Sequence, residues 1–261
     1  MNQLTTKKLN SIPWRDLTKL STKEVVIENL VSLPWLIGSL LFAGFELYML
    51  ALPCSFMYFL TALRLVHNGY HHTLGISKGM TRLTLLANSV LMLTSMHAMK
   101  FNHLRHHKYC MKENDVEGKC GRMPSWKALL YGPVFVFEIH YTALKLENWK
   151  NKVIVLFELF LIIGFISFVF SMQLKFLIYH CIVMTIGEFF TALFAVWTVH
   201  HDCDDEIYAR TSRGSWKNFF TYNMFYHMEH HLFPAVPTIK LPVLAERIDE
   251  VFPFIKEKTV F

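Results

Sequence analysis

Residues 28–66 have the sequence ENLVSLPWLIGSLLFAGFELYMLALPCSFMYFLTALRLV, and no other stretch constrains the architecture as strongly. Residues 29–45 and 47–63 contain no charged side chain, and only Glu46 separates the two blocks. A bilayer core requires about 20 mostly apolar residues per helix. Two consecutive blocks with so little polar face are atypical of helices that meet water. The sequence therefore predicts a transmembrane helical hairpin, roughly 28–46 with 48–66, whose turn lies at Glu46 or a few residues later, near Pro53.

A second pair of apolar blocks follows later in the chain. Residues 153–174 contain one charge, Glu158, and residues 176–201 contain one, Glu188. They predict a second hairpin, roughly 153–172 with 176–199. The composition agrees, because 53% of the 261 residues are hydrophobic and the mean hydropathy is +0.30. We therefore predict an all-α integral membrane protein with two transmembrane helical hairpins, about four crossings in total.

The distribution of basic residues predicts the orientation. If both hairpin turns lie on the far side of the membrane, Lys175 is the one residue of the 26 Lys and Arg found there. Such a bias matches the positive-inside rule, so both termini are expected in the cytosol. The net charge of +6 then reflects topology and contact with lipid headgroups. No basic groove interleaved with aromatic residues is evident, so a nucleic-acid partner is not expected.

Three histidine clusters lie on the predicted cytosolic side. They are His67-Asn-Gly-Tyr-His71-His72, His103-Leu-Arg-His106-His107 and His227-Met-Glu-His230-His231, and they hold nine of the fourteen histidines. On a helix, positions i, i+3 and i+4 share a face, so each cluster can direct two or three imidazoles to one point. Imidazole binds iron, zinc, copper and nickel. Eight or so convergent imidazoles exceed the needs of one ion and indicate a two-metal centre. The five cysteines lie apart and contain no C-x-x-C pair, which fits reduced thiols.

The segments between these features complete a single domain over 1–261. Residues 81–99 and 128–146 are apolar but connect segments on the same side, so each is predicted to be an interfacial or re-entrant helix. The cytosolic N-terminal segment is 1–27. The cytosolic C-terminal tail, 241–261, contains a short amphipathic helix that begins with a proline. The histidine clusters are expected to form a cytosolic cap over the membrane helices.

The third histidine cluster carries a recognisable motif. The stretch Asn223-Met-Phe-Tyr-His227-Met-Glu-His230-His231-Leu-Phe-Pro234 resembles the N-x-x-Y-H-x-E-H-H-L-F-P box of the membrane-bound fatty acid desaturase superfamily, whose relatives include hydroxylases and carotenoid ketolases. The segment His103 to His107 is similar to the second box of that family, and His67 to His71 is similar to the first. Arg210-Thr211 resembles a segment that precedes the third box. The resemblance covers about residues 35–245.

The resemblance implies a set of iron ligands. Two irons would be held by His67, His71, His103, His106, His107, His200 or His201, His227, His230 and His231. The choice between His200 and His201 stays open, because both follow the last predicted crossing. The first box of the family usually continues H-D-x-x-H-G, and Asn68 and His72 replace the Asp and Gly here, so His72 is interpreted as a bystander.

Groups behind the ligands should hold the imidazoles in one orientation. The candidates are Asp115, Asn223 and Glu229, together with Asp202, Asp204 and Asp205. For each acid the alternative is a solvated surface residue, and for Asn223 it is a helix cap.

The resemblance also implies an activity. Members of the family use O2, with electrons from a separate ferredoxin or b-type cytochrome and its reductase, to attack an unactivated C–H bond of a lipid. A fatty acyl desaturase is therefore expected, with a hydroxylase or carotenoid ketolase as the alternative. A membrane zinc hydrolase is a more distant alternative, because a catalytic zinc usually has three protein ligands. A metal transporter is another, but it predicts ligands near the bilayer midplane.

Four titratable residues lie outside the boxes. His180 is 20 residues before His200, about 30 Å along a helix, and is therefore not expected to bind metal. His97 and His140 are isolated and are interpreted as non-ligands. Glu188 lies within a predicted crossing, where an ionisable group indicates either contact with substrate or a hydrogen bond to another helix.

Overall fold

The computed structural model describes residues 9–110, 112–203 and 209–253. These residues fold as helices joined by short turns. The α-helices are α1 (Thr22–Leu30), α2 (Leu33–Gly44), α3 (Tyr48–Tyr70), α4 (Lys78–Met92), α5 (Met96–Tyr109), α6 (Ser125–Leu146), α7 (Trp149–Ser171), α8 (Lys175–Thr191), α9 (Ser215–Phe220), α10 (His227–Leu232) and α11 (Leu241–Val251). Short 3-10 helices occur at Arg15–Thr18, Gly118–Arg122 and Thr238–Lys240.

Both predicted hairpins are present. Helices α2 and α3 are joined at Glu46, whose φ of 60° lies in the left-handed region, and α7 and α8 are joined at Gln173, with φ 52°. Pro53 lies inside α3, so the first turn is at the earlier of the two predicted positions. Four helical stretches of the described chain are long and apolar enough to cross a membrane: Thr22–Gly44, Tyr48–Tyr70, Trp149–Ser171 and Lys175–His200. The all-α membrane architecture is therefore confirmed.

The segment predicted as one helix over 81–99 is instead a helical hairpin that enters the bundle. Helix α4 ends at Leu93, which has a φ of 60°, and Ser95 caps α5 by accepting a hydrogen bond from the Ala98 N–H. At the tip, the Ser95 hydroxyl donates to Glu158 of α7. The Glu158 carboxylate is fully buried and pairs with His97 at 2.7 Å. The polar groups that a broken helix leaves unpaired explain why an acid is buried there.

Close helix contacts fix the rest of the bundle. Helix α6 begins three residues before the predicted 128–146 segment, and its Gly132 packs directly on the backbone of α8. A Cβ at Gly132 would lie 1.6 Å from the Phe189 carbonyl oxygen, so no larger residue fits this crossing. His180 of α8 donates to the Leu91 carbonyl at 2.8 Å, which ties α8 to the end of α4.

The last crossing contains a π-helical segment. Helix α8 continues without interruption as a π-helix over Ala192–Trp197 and a final α-turn over Thr198–His200. The Thr198 hydroxyl donates to the Leu193 carbonyl, five residues earlier, which matches the wider turn. Isolated π turns are rare and often lie at functional sites.

The N- and C-terminal parts pack together over the ends of the crossings. Glu28 of α1 accepts hydrogen bonds from Asn68 and from the Ile239 N–H, and it pairs with Arg64 at 2.5 Å. Helix α11 buries Leu244 and Ile248 against apolar residues near the N-terminus. The predicted tail helix is therefore present. Residues 1–8 of the N-terminal segment and 254–261 of the tail lie outside the described residues.

Candidate metal centre

The three histidine clusters meet at one place. Cluster one lies at the end of α3, cluster two in the last two turns of α5, and cluster three forms most of α10. Nine imidazoles from these clusters and from the end of the last crossing contact one another. They are His67, His71, His103, His106, His107, His200, His227, His230 and His231. Residues more than 150 positions apart therefore share one buried centre.

The first group contains five histidines. One nitrogen from each of His67, His71, His103, His107 and His230 lies within 4.8 Å of the others. The Nε2 of His103 is 3.0 Å from that of His71 and 3.1 Å from that of His107. The Nε2 of His107 is 2.9 Å from that of His230. The arrangement can enclose one metal ion.

The second group lies beside the first. Ring nitrogens of His106, His200 and His231 and the thiol of Cys110 lie within 4.8 Å of one another. His227 belongs to this side, because its Nε2 is 2.9 Å from that of His200 and 3.1 Å from that of His231. The two groups adjoin where the rings of His107 and His231 stack at 4.4 Å. They can therefore hold two ions side by side.

The structure separates His200 from His201. The ring of His201 stacks on Trp197 at 4.0 Å, and its Nδ1 lies 2.9 Å from the Trp197 carbonyl, so it turns away from the other imidazoles. His72 is also outside. It is exposed, has a φ of 58° in the region that favours glycine, and lies 3.1 Å from the Lys100 ammonium.

Asn68 has a structural role that explains its departure from the first-box pattern. Its amide donates to Glu28, and its carbonyl oxygen accepts from the N–H and hydroxyl of Thr238. An aspartate could not donate to Glu28, so an amide suits this position.

Two carboxylates bind imidazole rings of the centre through the ring nitrogen that points away from it. Glu117 lies 2.8 Å from the Nδ1 of His103, and Asp115 lies 2.8 Å from the Nδ1 of His106. The Gly118 N–H donates to the other oxygen of Asp115. A Cβ at Gly118 would lie 2.2 Å from Asp115 Oδ2, so the glycine leaves room for this carboxylate. With Nδ1–H donated outward, the Nε2 of each ring faces the centre.

Burial controls the charge of the centre. Burial and the neighbouring imidazoles lower the pKa of His103, His227, His230 and His231 well below the ordinary value, and they lower the pKa of His71 to about 3. These rings are therefore neutral at pH 7 and able to bind metal. His106 differs, because Asp115 overcomes the opposing effect of burial and raises its pKa. Burial raises the pKa of Glu117 to about 7.

The other residues that were predicted to orient the imidazoles differ in where they lie. Glu229 is fully buried between the histidines of α10, accepts from the Thr211 hydroxyl at 2.7 Å and pairs with Arg213 at 2.7 Å. Asp202 is 85% exposed and faces Arg210, away from the centre. Asp204 and Asp205 lie outside the described residues. Asn223 has a φ of 66° in the turn after α9, and its N–H donates to the Asn218 carbonyl at 2.8 Å, which closes the end of that helix in line with the helix-cap alternative.

An apolar cavity of about 790 Å³ ends at the centre. Its walls come mainly from α3 and from the last crossing, and His67, His103, His227 and His230 line one end. From Leu52 to His67, α3 borders the cavity over 15 residues, which corresponds to about 22 Å of helix. The space therefore has the length and apolar character that suit a hydrocarbon chain.

The family model for fatty acid desaturases matches residues 43–258 of the chain. The chain belongs to the fatty acid desaturase family. No curated protein matches the chain. Membership confirms the resemblance carried by the third histidine box and indicates a membrane enzyme, an oxidoreductase of the desaturase or hydroxylase type with a lipid substrate.

The donor set of this desaturase-family protein fits metal ions. Nε2 atoms approach in pairs at 2.9–3.2 Å. The neutral His103 ring, whose Nδ1–H is donated to Glu117, presents its Nε2 lone pair to the centre. The buried Nε2 of His67 has no hydrogen-bond partner among the described residues. The cluster is therefore able to hold metal.

Three residues that contribute to the metal centre were not predicted from the sequence. Glu117 stands 14 residues after His103, and only folding of the segment after α5 brings it back to that ring. Cys110 follows His106 by one helical turn, so an i, i+4 search could have found it. Arg213 supports Glu229 and also forms two hydrogen bonds with Asp249 of α11, a pairing that no local spacing reveals.

Proposed function

We propose that this protein is an O2-dependent, non-haem diiron oxidoreductase that acts on an unactivated C–H bond of a lipid, most simply as a fatty acyl desaturase. The observation that carries the proposal is the pair of adjoining imidazole groups at the end of a long apolar cavity. A metal centre that opens onto a cavity of this size and apolar character suits a reaction on a hydrocarbon chain without polar groups.

The proposed ligands divide between two ions. His67, His71, His103, His107 and His230 would hold one, and His106, His200, His227 and His231 would hold the other. When bound, the irons supply the oxidising power that removal of hydrogen from a methylene requires. Glu117 and Asp115 keep the His103 and His106 rings in the tautomer whose Nε2 faces inward.

The cavity residues would position the substrate. Apolar walls on α3 and α8 bind an acyl chain by burying its methylenes, at about 0.8 kcal/mol for each CH₂. The same walls exclude water from the reacting carbon. The chain would lie against His67 and His103, which border the cavity and belong to the first group.

Hydroxylase or carotenoid ketolase activity is the alternative within the same class. Each outcome begins with removal of a hydrogen from the same kind of carbon. A single-zinc hydrolase is less favoured, because nine convergent imidazoles exceed the usual three ligands. A transporter is less favoured, because the histidines lie at helix ends, near one face of the bundle.

We further propose that the histidine centre faces the cytosol and receives electrons from a separate ferredoxin or b-type cytochrome with its reductase. The basis for the orientation is the excess of Lys and Arg on the side of the histidines.

Expression in a host that provides a suitable reductase, followed by mass spectrometry of the total lipids, tests the proposal. A desaturase yields acyl chains lighter by two hydrogens, and a hydroxylase yields chains heavier by one oxygen. The His230→Ala variant should give neither product while remaining in the membrane fraction. Purified protein should contain about two irons per chain. One tightly bound zinc, with no lipid product from the iron-loaded protein, would reject the proposal.

A further inference from the structure

A groove separate from the metal centre lies between α4 and α7. Its volume is about 560 Å³. Leu83 and Leu86 of α4 form one wall, and Ile154 and Phe157 of α7 form the other. Ser77 and Arg82 border the end near the start of α4, and His97 also lines the groove. The groove is therefore apolar along its length and has a polar border at the membrane face that carries the histidines.

Basic side chains gather at this end of the groove. Lys78 and Arg82 are exposed on the first two turns of α4, and Lys100 of α5 lies close to them. Partial burial and the adjacent Arg82 lower the pKa of Lys100, which shows that the cations are close enough to repel one another. Within the described residues, none of the three has an acidic partner.

The sequence explains the absence of compensating charge. Residues 47–112 contain seven Lys and Arg but no Asp or Glu, while the chain as a whole has 20 acids. On the facing helix α7, the basic groups near this end are Lys150 and Lys152. Glu147, just before the helix, accepts hydrogen bonds from Asn148 and Asn151, and Glu158 is fully buried against His97. Basic residues therefore outnumber acids here, and an anion would be attracted to this end of the groove.

We propose that this groove binds an anionic glycerophospholipid, with its phosphate at Lys78, Arg82 and Lys100 and one acyl chain between α4 and α7. Charge complementarity identifies the headgroup, because Lys and Arg without acidic partners beside a membrane attract anionic lipids. The apolar walls of Leu83, Leu86, Ile154 and Phe157 identify the chain. A zwitterionic lipid carries its own cation and would gain less from the three basic residues.

The bound lipid would stabilise the hairpin of α4 and α5. This hairpin carries the second histidine cluster, so a lipid wedged between α4 and α7 would hold that cluster in place. The site uses no metal ligand, and its occupancy does not depend on the proposed enzymatic activity.

The test uses the purified full-length protein in detergent. Delipidated protein is mixed with phosphatidylglycerol or phosphatidylcholine, and bound lipid is counted by native mass spectrometry while the melting temperature is followed. We expect phosphatidylglycerol to bind at least tenfold more tightly than phosphatidylcholine and to raise the melting temperature by several degrees. The Arg82→Gln/Lys100→Gln variant should lose both effects. Lys127→Gln/Lys23→Gln, which removes two exposed cations elsewhere, should retain them.

A second variant tests the apolar wall of the groove independently of the basic residues. Leu83→Trp fills the apolar wall without touching a basic residue and should also abolish lipid retention, whereas Leu129→Trp, at an exposed position of α6, should not. Equal affinity for the two lipids, or unchanged binding in the Arg82→Gln/Lys100→Gln variant, would overturn the proposal. Inorganic phosphate that produces the same stabilisation would overturn the lipid assignment. Unchanged lipid binding combined with slower reduction by an electron-donor protein would assign the basic residues to that partner instead.

Discussion

Glu117 is the residue whose removal most directly tests how the centre is held. Its carboxylate lies 2.8 Å from the Nδ1 of His103, and burial keeps its pKa at about 7. Glu117→Ala should reduce metal content and activity by about 10–100-fold, since the imidazole loses the group that fixes its orientation. Glu117→Gln, which keeps an acceptor oxygen, should restore part of the loss. Metal analysis and product yield measure both effects.

A matched control lies in the same segment. Glu113 is exposed, and Glu113→Ala should leave metal content and activity unchanged. An equal loss in the Glu113 and Glu117 variants would contradict a positioning role for Glu117.

His200 and His201 provide a second test at this scale. His200→Ala removes a nitrogen 3.0 Å from the His106 Nε2 and should lower metal content and abolish turnover. His201→Ala removes only a ring stacked on Trp197, so turnover should persist. Similar behaviour of the two variants would refute the proposed ligand assignment.

Most of the histidines at the centre could be predicted from the sequence, but the residues that hold them in place could not. The i, i+3, i+4 spacing predicts which rings share a helix face, so the three boxes could be proposed directly. Glu117 and Arg213 act through contacts between segments distant from one another in the chain. Asn223 lies within the motif, and its left-handed turn conformation closes the end of α9, as the helix-cap alternative expects.

Helix packing at Gly132 gives a prediction at the scale of the element. A Cβ there would lie 1.6 Å from the Phe189 oxygen, so Gly132→Ala must separate α6 from α8. Overpacking typically costs about 1–3 kcal/mol, and the upper end is expected because the obstacle is backbone. The melting temperature of the detergent-solubilised protein should fall by several degrees.

Gly164 in the middle of α7 provides the comparison. A Cβ at Gly164 meets nothing within 4 Å. Gly164→Ala should leave the melting temperature unchanged or raise it slightly, because alanine favours a helix by roughly 0.5–1 kcal/mol over glycine. Destabilisation of equal size at both positions would show that the tight α6–α8 crossing is not the cause.

The four long helices follow from uncharged stretches of sufficient length, so they could be predicted from hydropathy alone. The break at Leu93–Ser95 could not, because no Gly or Pro marks it. Ser95 can leave the helix because Glu158, more than 60 residues later, accepts its hydroxyl hydrogen. A tertiary contact thus replaces the missing helical hydrogen bonds.

Acid stability is a property of the molecule as a whole. Six histidines of the centre, all outside the membrane crossings, have a pKa lowered by burial, including His71 at about 3, whereas that of His106 is raised. Below pH 6.5 these six imidazoles are protonated in the unfolded chain but remain neutral in the folded protein. The free energy of unfolding therefore falls as the pH decreases. His106, Glu117 and Glu229 have the opposite sign, because their pKa values are raised in the folded state, but they are three groups against six.

Protein stripped of metal by a chelator should therefore melt at progressively lower temperature as the pH decreases from 7 towards 4. Thermal scans across that range measure the trend. Restored metal should raise the melting temperature at pH 7, because ligands held neutral bind it in the folded state only. A melting temperature that rises on acidification would contradict the charge state described here.

The π-helical segment at Ala192–Trp197 has a consequence for how this chain can change in length. A π turn accommodates one residue more than an α turn over the same rise, so the helix carries a spare residue there. Loss of one residue within the segment could be absorbed by a return to α geometry, and His200 would keep its direction. Loss of a residue elsewhere in the same crossing would rotate everything beyond it by about 100°. The helix thus has a single site at which evolution or an engineer can shorten it without turning its terminal imidazole away from its companions.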